Sequence, residues 1–206
     1  MDYLEVLPRV SLDSSRPFGA AFLKKGITTL IDAARYLKEM SYGHPPTRNL
    51  EDSLEIGVGT CYHKHGILAS CAREVGVPVY KALGIYPMDP SLVPSIAPVL
   101  ASHGFSYVPA THCFLVFGPY RIDLTEKNCN GKTGSIDSYF HIEIVPPDLS
   151  EEAEREVYRT FMEKEWPRFF GFAGGDIDRL DFSRAWAMLE KCRDSMKLSI
   201  GCSLSH

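Results

Sequence analysis

The loop-to-helix junction of this chain reads Gly59-Thr60-Cys61-Tyr62-His63-Lys64-His65-Gly66-Ile67-Leu68. Gly59 and Thr60 have the loop and N-cap chemistry that precedes a helix. Apolar residues then recur at the three- and four-residue spacing of a buried helix face: Ile67, Leu68, Cys71 and Val75. Gly76 and Pro78 end the pattern. The junction therefore predicts a helix whose first turn contains Cys61.

A cysteine in the first turn of a helix lies among unpaired backbone N–H groups and at the positive end of the helix dipole. Such a position lowers the pKa of a thiol and favours the thiolate, which is the reactive form. The alternative for Cys61 is a buried structural thiol, the usual role of a single cysteine.

Length and composition limit the class of protein. A chain of 206 residues with 45% apolar and 23% charged residues predicts a single soluble domain over residues 1–206. The net charge of −4 gives no basic surface for nucleic acid, and no uncharged apolar run is long enough to cross a membrane. The first residues lack a signal-peptide pattern, so we expect a cytoplasmic protein whose six cysteines are free thiols.

The rest of the chain predicts an α+β fold. Periodic apolar residues indicate one helix over 18–40, a short helix near 50–54, a charged helix over 151–170 behind a capping box, and a last helix over 182–196. A turn is expected over 171–178, and a loose tail from Leu198. β-branched and aromatic runs predict strands over 77–85, 112–117, 120–125 and 140–145. The core would cover about residues 18–146, with extra C-terminal helices over 150–197.

Two of these strands form a predicted hairpin about Gly118-Pro119. If Phe117 lies opposite Tyr120, then Phe114 lies opposite Asp123 and His112 opposite Thr125. Diagonal neighbours on one face are about 7–8 Å apart at the backbone, so His112 and Asp123 could form a hydrogen bond. A thiol nucleophile needs a base, and the base needs a third group that fixes its tautomer. Cys61, His112 and Asp123 supply these three types.

Three segments carry a resemblance to a known family: Gly-Thr-Cys61, Ala-Thr-His112-Cys-Phe-Leu-Val and Tyr-Arg-Ile-Asp123-Leu-Thr. Over about residues 55–125 the chain resembles the transglutaminase-like superfamily of papain-like Cys-His-Asp proteins, and within it a branch of small bacterial proteins. The resemblance implies a papain-like or transglutaminase-like core in which the Cys-bearing helix packs on an antiparallel sheet. It implies no particular substrate.

The chain contains no glutamine, so it lacks the glutamine oxyanion donor of papain. The backbone N–H of Cys61 is the expected first donor to an oxyanion. Thr60, Tyr62 and Lys64 are candidates for the remaining oxyanion or site-lining groups. Lys64 could hold the thiolate by its charge, or it could be a solvated surface residue or the ion-pair partner of an acid.

The histidines of the junction also suggest a metal site. Cys61 and His65 are spaced i, i+4 and could share a helix face, with His112 and Asp123 as further ligands and His63 pointing elsewhere. Exposed or helix-capping histidines are the alternative. We expect no metal and no cofactor.

The residues thus predict a cysteine-dependent enzyme acting on an amide or acyl centre, either a hydrolase or an acyltransferase. Its partner would be a peptide, amide or acyl small molecule rather than nucleic acid or membrane, and the oligomeric state is left open. The other class is a catalytically silent binding module that keeps the fold.

Overall fold

The computed structural model describes residues 3–126, 128–136, 138–169 and 180–201. It is an α+β structure with an antiparallel sheet, as the sequence predicts. In these ranges the α-helices are α1 (Pro17–Lys24), α2 (Leu30–Glu39), α3 (Leu50–Ile56), α4 (Cys61–Glu74), α5 (Ala97–His103), α6 (Glu151–Lys164) and α7 (Phe182–Gly201). The strands are β1 (Ser41–Tyr42), β2 (Val58–Gly59), β3 (Tyr80–Met88), β4 (Val108–Phe117), β5 (Tyr120–Ile122) and β6 (His141–Val145). No helix in the described residues is long and apolar enough to cross a membrane.

The chain divides into two compact units. One comprises Met1–Leu83, His112–Asn130 and Glu143–Asp148, and the other comprises Gly84–Thr111, Gly131–Ile142 and Leu149–His206. Strands β1 and β2 form a parallel pair, and the remaining strands have the order β5-β4-β3-β6. The prediction of one domain over residues 1–206 stays a prediction.

The first unit is built around α4, which packs against α1, α2 and α3. Thr60 is its N-cap and Cys61 its first residue, so the predicted start of the helix is confirmed. Every residue from Tyr62 to Ala72 is buried. A helix enclosed on all sides cannot be amphipathic, and its polar side chains must find partners inside the protein.

The predicted helix over residues 18–40 is wrong as a single element. It is broken into α1 and α2 at Gly26, whose φ of +78° is the left-handed conformation that glycine adopts readily. Thr29 then caps α2 by accepting a hydrogen bond from the Asp32 amide. The apolar periodicity runs through both helices and does not report the break.

The hairpin register confirms the predicted turn. Phe117 pairs with Tyr120, Val116 with Arg121 and Leu115 with Ile122 in an antiparallel ladder. The predicted strand to Thr125 is too long, because β5 ends at Ile122. The pairing of Phe114 with Asp123 and of His112 with Thr125 is therefore not part of the ladder.

The second unit contains the C-terminal helices. Its core includes Tyr158, Phe161, Trp166 and Trp186, as expected for aromatic residues at helical spacing. The predicted end of α6 near residue 170 is wrong, since the helix stops at Lys164 and a 3-10 turn follows. Helix α7 continues to Gly201, so a loose tail from Leu198 is also wrong for residues 198–201. The predicted turn over 171–178 and the tail beyond 201 lie outside the described residues.

Gly66 lets α4 approach a neighbouring backbone in the first unit. A Cβ at this position would lie 2.5 Å from the Pro147 carbonyl oxygen and 3.1 Å from both Cδ atoms of Leu50. The Pro147 oxygen also accepts a hydrogen bond of 2.7 Å from the Lys81 ammonium, which ties that carbonyl in place. Gly66 is therefore required by close packing.

Gly66→Ala is expected to lower the free energy of unfolding by about 2 kcal/mol. Alanine gains about 1 kcal/mol of helix propensity, but overpacking against backbone costs about 3 kcal/mol. Denaturant unfolding measures the difference. Gly134→Ala is the control, because a Cβ there has no atom within 4 Å. A Gly66→Ala variant as stable as the Gly134→Ala variant would contradict the packing argument.

Candidate active site

Cys61 lies at the amino end of α4, directly after the buried N-cap Thr60. Its side chain is half-buried. The first backbone N–H groups of a helix have no partner within the helix, so those of α4 are potential donors to negative charge. The local sequence thus puts a partly accessible thiol at an electropositive helix end.

His63 is a helix-capping residue and is not exposed. Its Nδ1 accepts a hydrogen bond of 3.3 Å from the Thr60 amide, and its Nε2 donates to the Thr47 carbonyl at 3.1 Å. Because a backbone amide can only donate, Nδ1 carries no proton. Burial is the main cause that lowers the pKa of His63 to about 4, so the ring is neutral at physiological pH.

His112 and Asp123 form the hydrogen bond that the hairpin predicts. The His112 Nε2 lies 2.7 Å from Asp123 Oδ2, and the imidazole is buried. The other carboxylate oxygen, Oδ1, accepts from the Thr125 amide at 2.8 Å and from the Thr125 hydroxyl at 2.7 Å. The Tyr3 hydroxyl donates to the Asp123 backbone carbonyl at 2.8 Å. Both side-chain oxygens and the backbone of Asp123 are therefore held.

The electrostatics of Asp123 favour the carboxylate. Burial acts to raise its pKa, but the charge and the hydrogen bond of His112 hold the pKa well below its ordinary value. An ionised carboxylate bonded to an imidazole fixes the tautomer of the ring and stabilises its protonated form.

His65 joins the Cys61 helix to the Asp123 segment. Its Nδ1 lies 2.7 Å from the Cys61 carbonyl oxygen, and its Nε2 accepts a hydrogen bond of 2.8 Å from the Leu124 amide. Nε2 is also 3.4 Å from Asp123 Oδ1, and the His65 and His112 rings meet edge to face with centroids 6.1 Å apart. These contacts bring the first turns of α4 next to Asp123 and Leu124, the residues that follow β5.

Sequence reasoning considered His65 as a metal ligand or as an exposed or helix-capping histidine, so its bridging role was missed. The i, i+4 spacing from Cys61 was the available signal, because it brings the imidazole to the Cys61 carbonyl. The partner on the hairpin, 59 residues away, has no local signal.

Lys64 is fully buried, which contradicts the solvated surface role. Its ammonium donates to the Met40 carbonyl and, at 3.3 Å, to the Lys38 carbonyl, both at the carboxyl end of α2. Burial is the main cause that lowers the pKa of Lys64 to about 8, with Glu39 and Asp123 acting in the opposite direction. Lys64 thus satisfies carbonyl groups that a helix end leaves without partners.

Two cations that the sequence analysis did not single out lie against Tyr62. The Arg48 guanidinium carbon is 4.0 Å and the Lys81 ammonium 3.7 Å from the centroid of the ring. Burial, the largest cause, raises the pKa of the Tyr62 phenol. These cation–π contacts fix the side chain next to Cys61.

The cysteines of the described chain are free thiols, as predicted. Cys71, Cys113 and Cys192 are buried, and Cys129 is exposed. Burial raises the pKa of Cys71 to about 12 and that of Cys192 to about 11, so both are poor nucleophiles near neutral pH. Cys202 lies outside the described residues.

Within the described residues, no group of three or more His, Cys, Asp or Glu side chains could hold a metal ion. Of the ligands considered for such a site, His63 and His65 both use their two ring nitrogens in hydrogen bonds to backbone.

Comparison with known proteins adds no relative. No protein-family model, no curated protein and no solved structure matches the chain.

Proposed function

We propose that this protein is a cysteine-dependent enzyme that acts on an amide or acyl centre through Cys61, His112 and Asp123. The observation that carries the proposal is the 2.7 Å bond between the buried His112 ring and the Asp123 carboxylate, next to the His65 that bonds the Cys61 carbonyl. A nucleophile, a base and an orienting acid are the three components that such chemistry needs.

The two edges of the His112 ring have different roles in the proposed reaction. The Nε2–H donates to Asp123. In the proposed reaction, Nδ1 exchanges a proton with the Cys61 thiol. In the resting site, the proton of the thiol resides on Nδ1 and forms a thiolate–imidazolium pair. The Asp123 carboxylate stabilises the imidazolium through the bond to Nε2.

The reaction follows from this arrangement. The Cys61 sulfur attacks the carbonyl carbon, a C–S bond forms, and the carbonyl oxygen becomes an oxyanion. His112 then gives its Nδ1 proton to the leaving nitrogen, the C–N bond breaks, and a thioester remains. Water or a second amine then attacks the thioester and gives a proton to His112. The C–S bond breaks, the acyl product leaves, and the thiolate–imidazolium pair is restored. Attack by water would make the protein a hydrolase, and attack by a second amine would make it an acyltransferase.

The amino end of α4 is the proposed oxyanion site. The backbone amides of Cys61 and Tyr62 lie in the first turn, where helix N–H groups have no helical acceptor. Thr60 precedes them as the N-cap, and the Tyr62 ring is held by Arg48 and Lys81. Lys64 is turned toward the end of α2 and would act on the site only through its charge.

We further propose that the chain is a divergent transglutaminase-like protein with a papain-like core. The order Cys, His, Asp along the chain and a Cys-bearing helix that contacts the hairpin support this. A peptide, amide or acyl small molecule is the proposed substrate class, and the cytoplasm the proposed location. The alternative is a silent binding module, and the reactivity of Cys61 distinguishes the two.

The proposal predicts that Cys61 is the most reactive thiol of the native protein near pH 6. A panel of electrophiles, followed by peptide mapping, should label Cys61 before Cys129, although Cys129 is the exposed cysteine of the described chain. In the proposed pair, His112 keeps the Cys61 sulfur as the reactive thiolate at pH 6. Preferential labelling of Cys129 at pH 6 would favour the binding module.

A further inference from the structure

Beyond the three catalytic residues, His65 occupies a central place in the first unit. Its side chain is fully buried, and each ring nitrogen contacts a different element of the site. One contact is to the first residue of α4, and the other is to the residue after Asp123. No other side chain described above bonds the backbone beside both the nucleophile and the acid.

The hydrogen-bond partners determine the protonation of His65. The Leu124 amide can only donate, so Nε2 must accept and carries no proton. Nδ1 must then carry the proton and donate to the Cys61 carbonyl, which can only accept. The ring is a neutral tautomer whose donor and acceptor both match their partners.

We propose that His65 is a positioning residue, whose bonds to the Cys61 carbonyl and the Leu124 amide set where the Cys61 turn of α4 lies relative to His112 and Asp123. This inference rests on the proposed function. His65 does not exchange a proton with substrate. It acts through the backbone that carries the nucleophile at one end and the acid at the other.

The two bonds have different mimics among the amino acids. The amide nitrogen of asparagine can take the place of Nδ1, and the amide oxygen of glutamine can take the place of Nε2. His65→Asn thus keeps the donor to Cys61, His65→Gln keeps the acceptor for Leu124, and His65→Leu keeps neither. Leu68→Ala is the matched control, because it removes buried volume from the same helix and leaves both bonds intact.

The experiment measures the iodoacetamide alkylation rate of Cys61 at pH 6 and pH 9 in the folded full-length protein, for the wild type and these variants. A small displacement of reacting groups is enough to change rates. We expect His65→Leu to slow alkylation at pH 6 by roughly threefold and to leave the pH 9 rate nearly unchanged. His65→Gln and His65→Asn should fall between His65→Leu and the wild type, and Leu68→Ala should retain the wild-type ratio of the two rates despite a lower melting temperature.

The same series includes His112→Ala, which separates the two proposals. If Cys61 is fast in the wild type and slow in His112→Ala, but every His65 variant keeps the wild-type ratio, the positioning role is wrong and the proposed function stands. The positioning role would also be overturned if the ratio of the pH 6 rate to the pH 9 rate fell equally in Leu68→Ala, because the slower alkylation would then follow the loss of stability alone. If Cys61 is slow in the wild type and His112→Ala changes nothing, both proposals fall. If His65→Leu does not fold, His65→Gln and His65→Asn decide the question. A ratio of the pH 6 rate to the pH 9 rate below that of the wild type in either variant supports positioning, and the wild-type ratio in both overturns it.

Discussion

His112→Ala is expected to slow alkylation of Cys61 at pH 6 by about tenfold. A thiol with an ordinary pKa of about 8.5 is below about 1% thiolate at this pH, so pairing with imidazolium raises the reactive fraction about a hundredfold. A thiolate of lower pKa is a weaker nucleophile, which removes about one order of magnitude of that gain. The net effect is the tenfold difference. It should shrink at pH 9, where an ordinary thiol also ionises.

Asp123→Asn is the graded control for this measurement. The amide can still accept from the His112 Nε2–H, but it removes the negative charge that stabilises the imidazolium. Alkylation at pH 6 should therefore fall less than in His112→Ala. The rates are read by mass spectrometry of the Cys61 and Cys129 peptides from one sample. If both cysteines react at equal rates and His112→Ala has no effect, the triad is not reactive. That result would favour the alternative, a catalytically silent binding module.

The second large effect concerns stability against pH, through Lys64. An unfolded lysine titrates near its ordinary pKa of 10.5, whereas burial lowers the pKa of Lys64 to about 8 in the fold. Between these values the unfolded chain holds a proton that the folded protein has released. The free energy of unfolding therefore rises with pH across this window, by about 3 kcal/mol from this residue, and the gain is absent below pH 8.

Lys64→Met should remove that rise. The measurement is urea unfolding at pH 7.5 and pH 10.5 for the wild type and the variant, with Lys24→Met, an exposed lysine on α1, as the control. Buried thiols act in the opposite direction, because the raised pKa values of Cys71 and Cys192 cost stability at high pH. They are common to all three proteins and cancel in the differences. The same pH dependence in Lys64→Met and Lys24→Met would show that Lys64 is not the responsible group.

The parts of the site that could be predicted from sequence are those with local signals. The N-cap and apolar spacing gave the start of α4 at Cys61, and a two-residue turn gave the register that brings His112 to Asp123. The end of β5 could not be predicted, because β-branched and polar residues continue to Thr125 while Asp123 uses its carboxylate to bond the Thr125 backbone. A side chain that accepts a hydrogen bond from the backbone amide two residues ahead competes with the strand ladder for that amide.

The burial of polar side chains was the main feature that the sequence analysis did not predict. Lys64 was predicted to support the thiolate, to be solvated or to pair with an acid, and His65 to bind metal, to be exposed or to cap the helix. Their partners are instead backbone groups at the end of α2, in Cys61 and in Leu124. Except for Cys61, those partners are distant in sequence and have no pattern of their own. The break between α1 and α2 also could not be predicted, because a single glycine with positive φ does not interrupt apolar periodicity.

The burial of α4 on all sides bears on how this protein tolerates amino-acid change. In a saturation mutagenesis library scored by activity, nearly every position from Tyr62 to Ala72 should reject most residues, because each side chain fits an enclosed space. Intolerance along this helix would therefore not distinguish groups that touch substrate from groups that only fill volume. Cys61 differs from them in being half-buried, and a reagent added to the folded protein can reach it. Chemical probes are thus the better means of finding the reactive position in a helix of this kind.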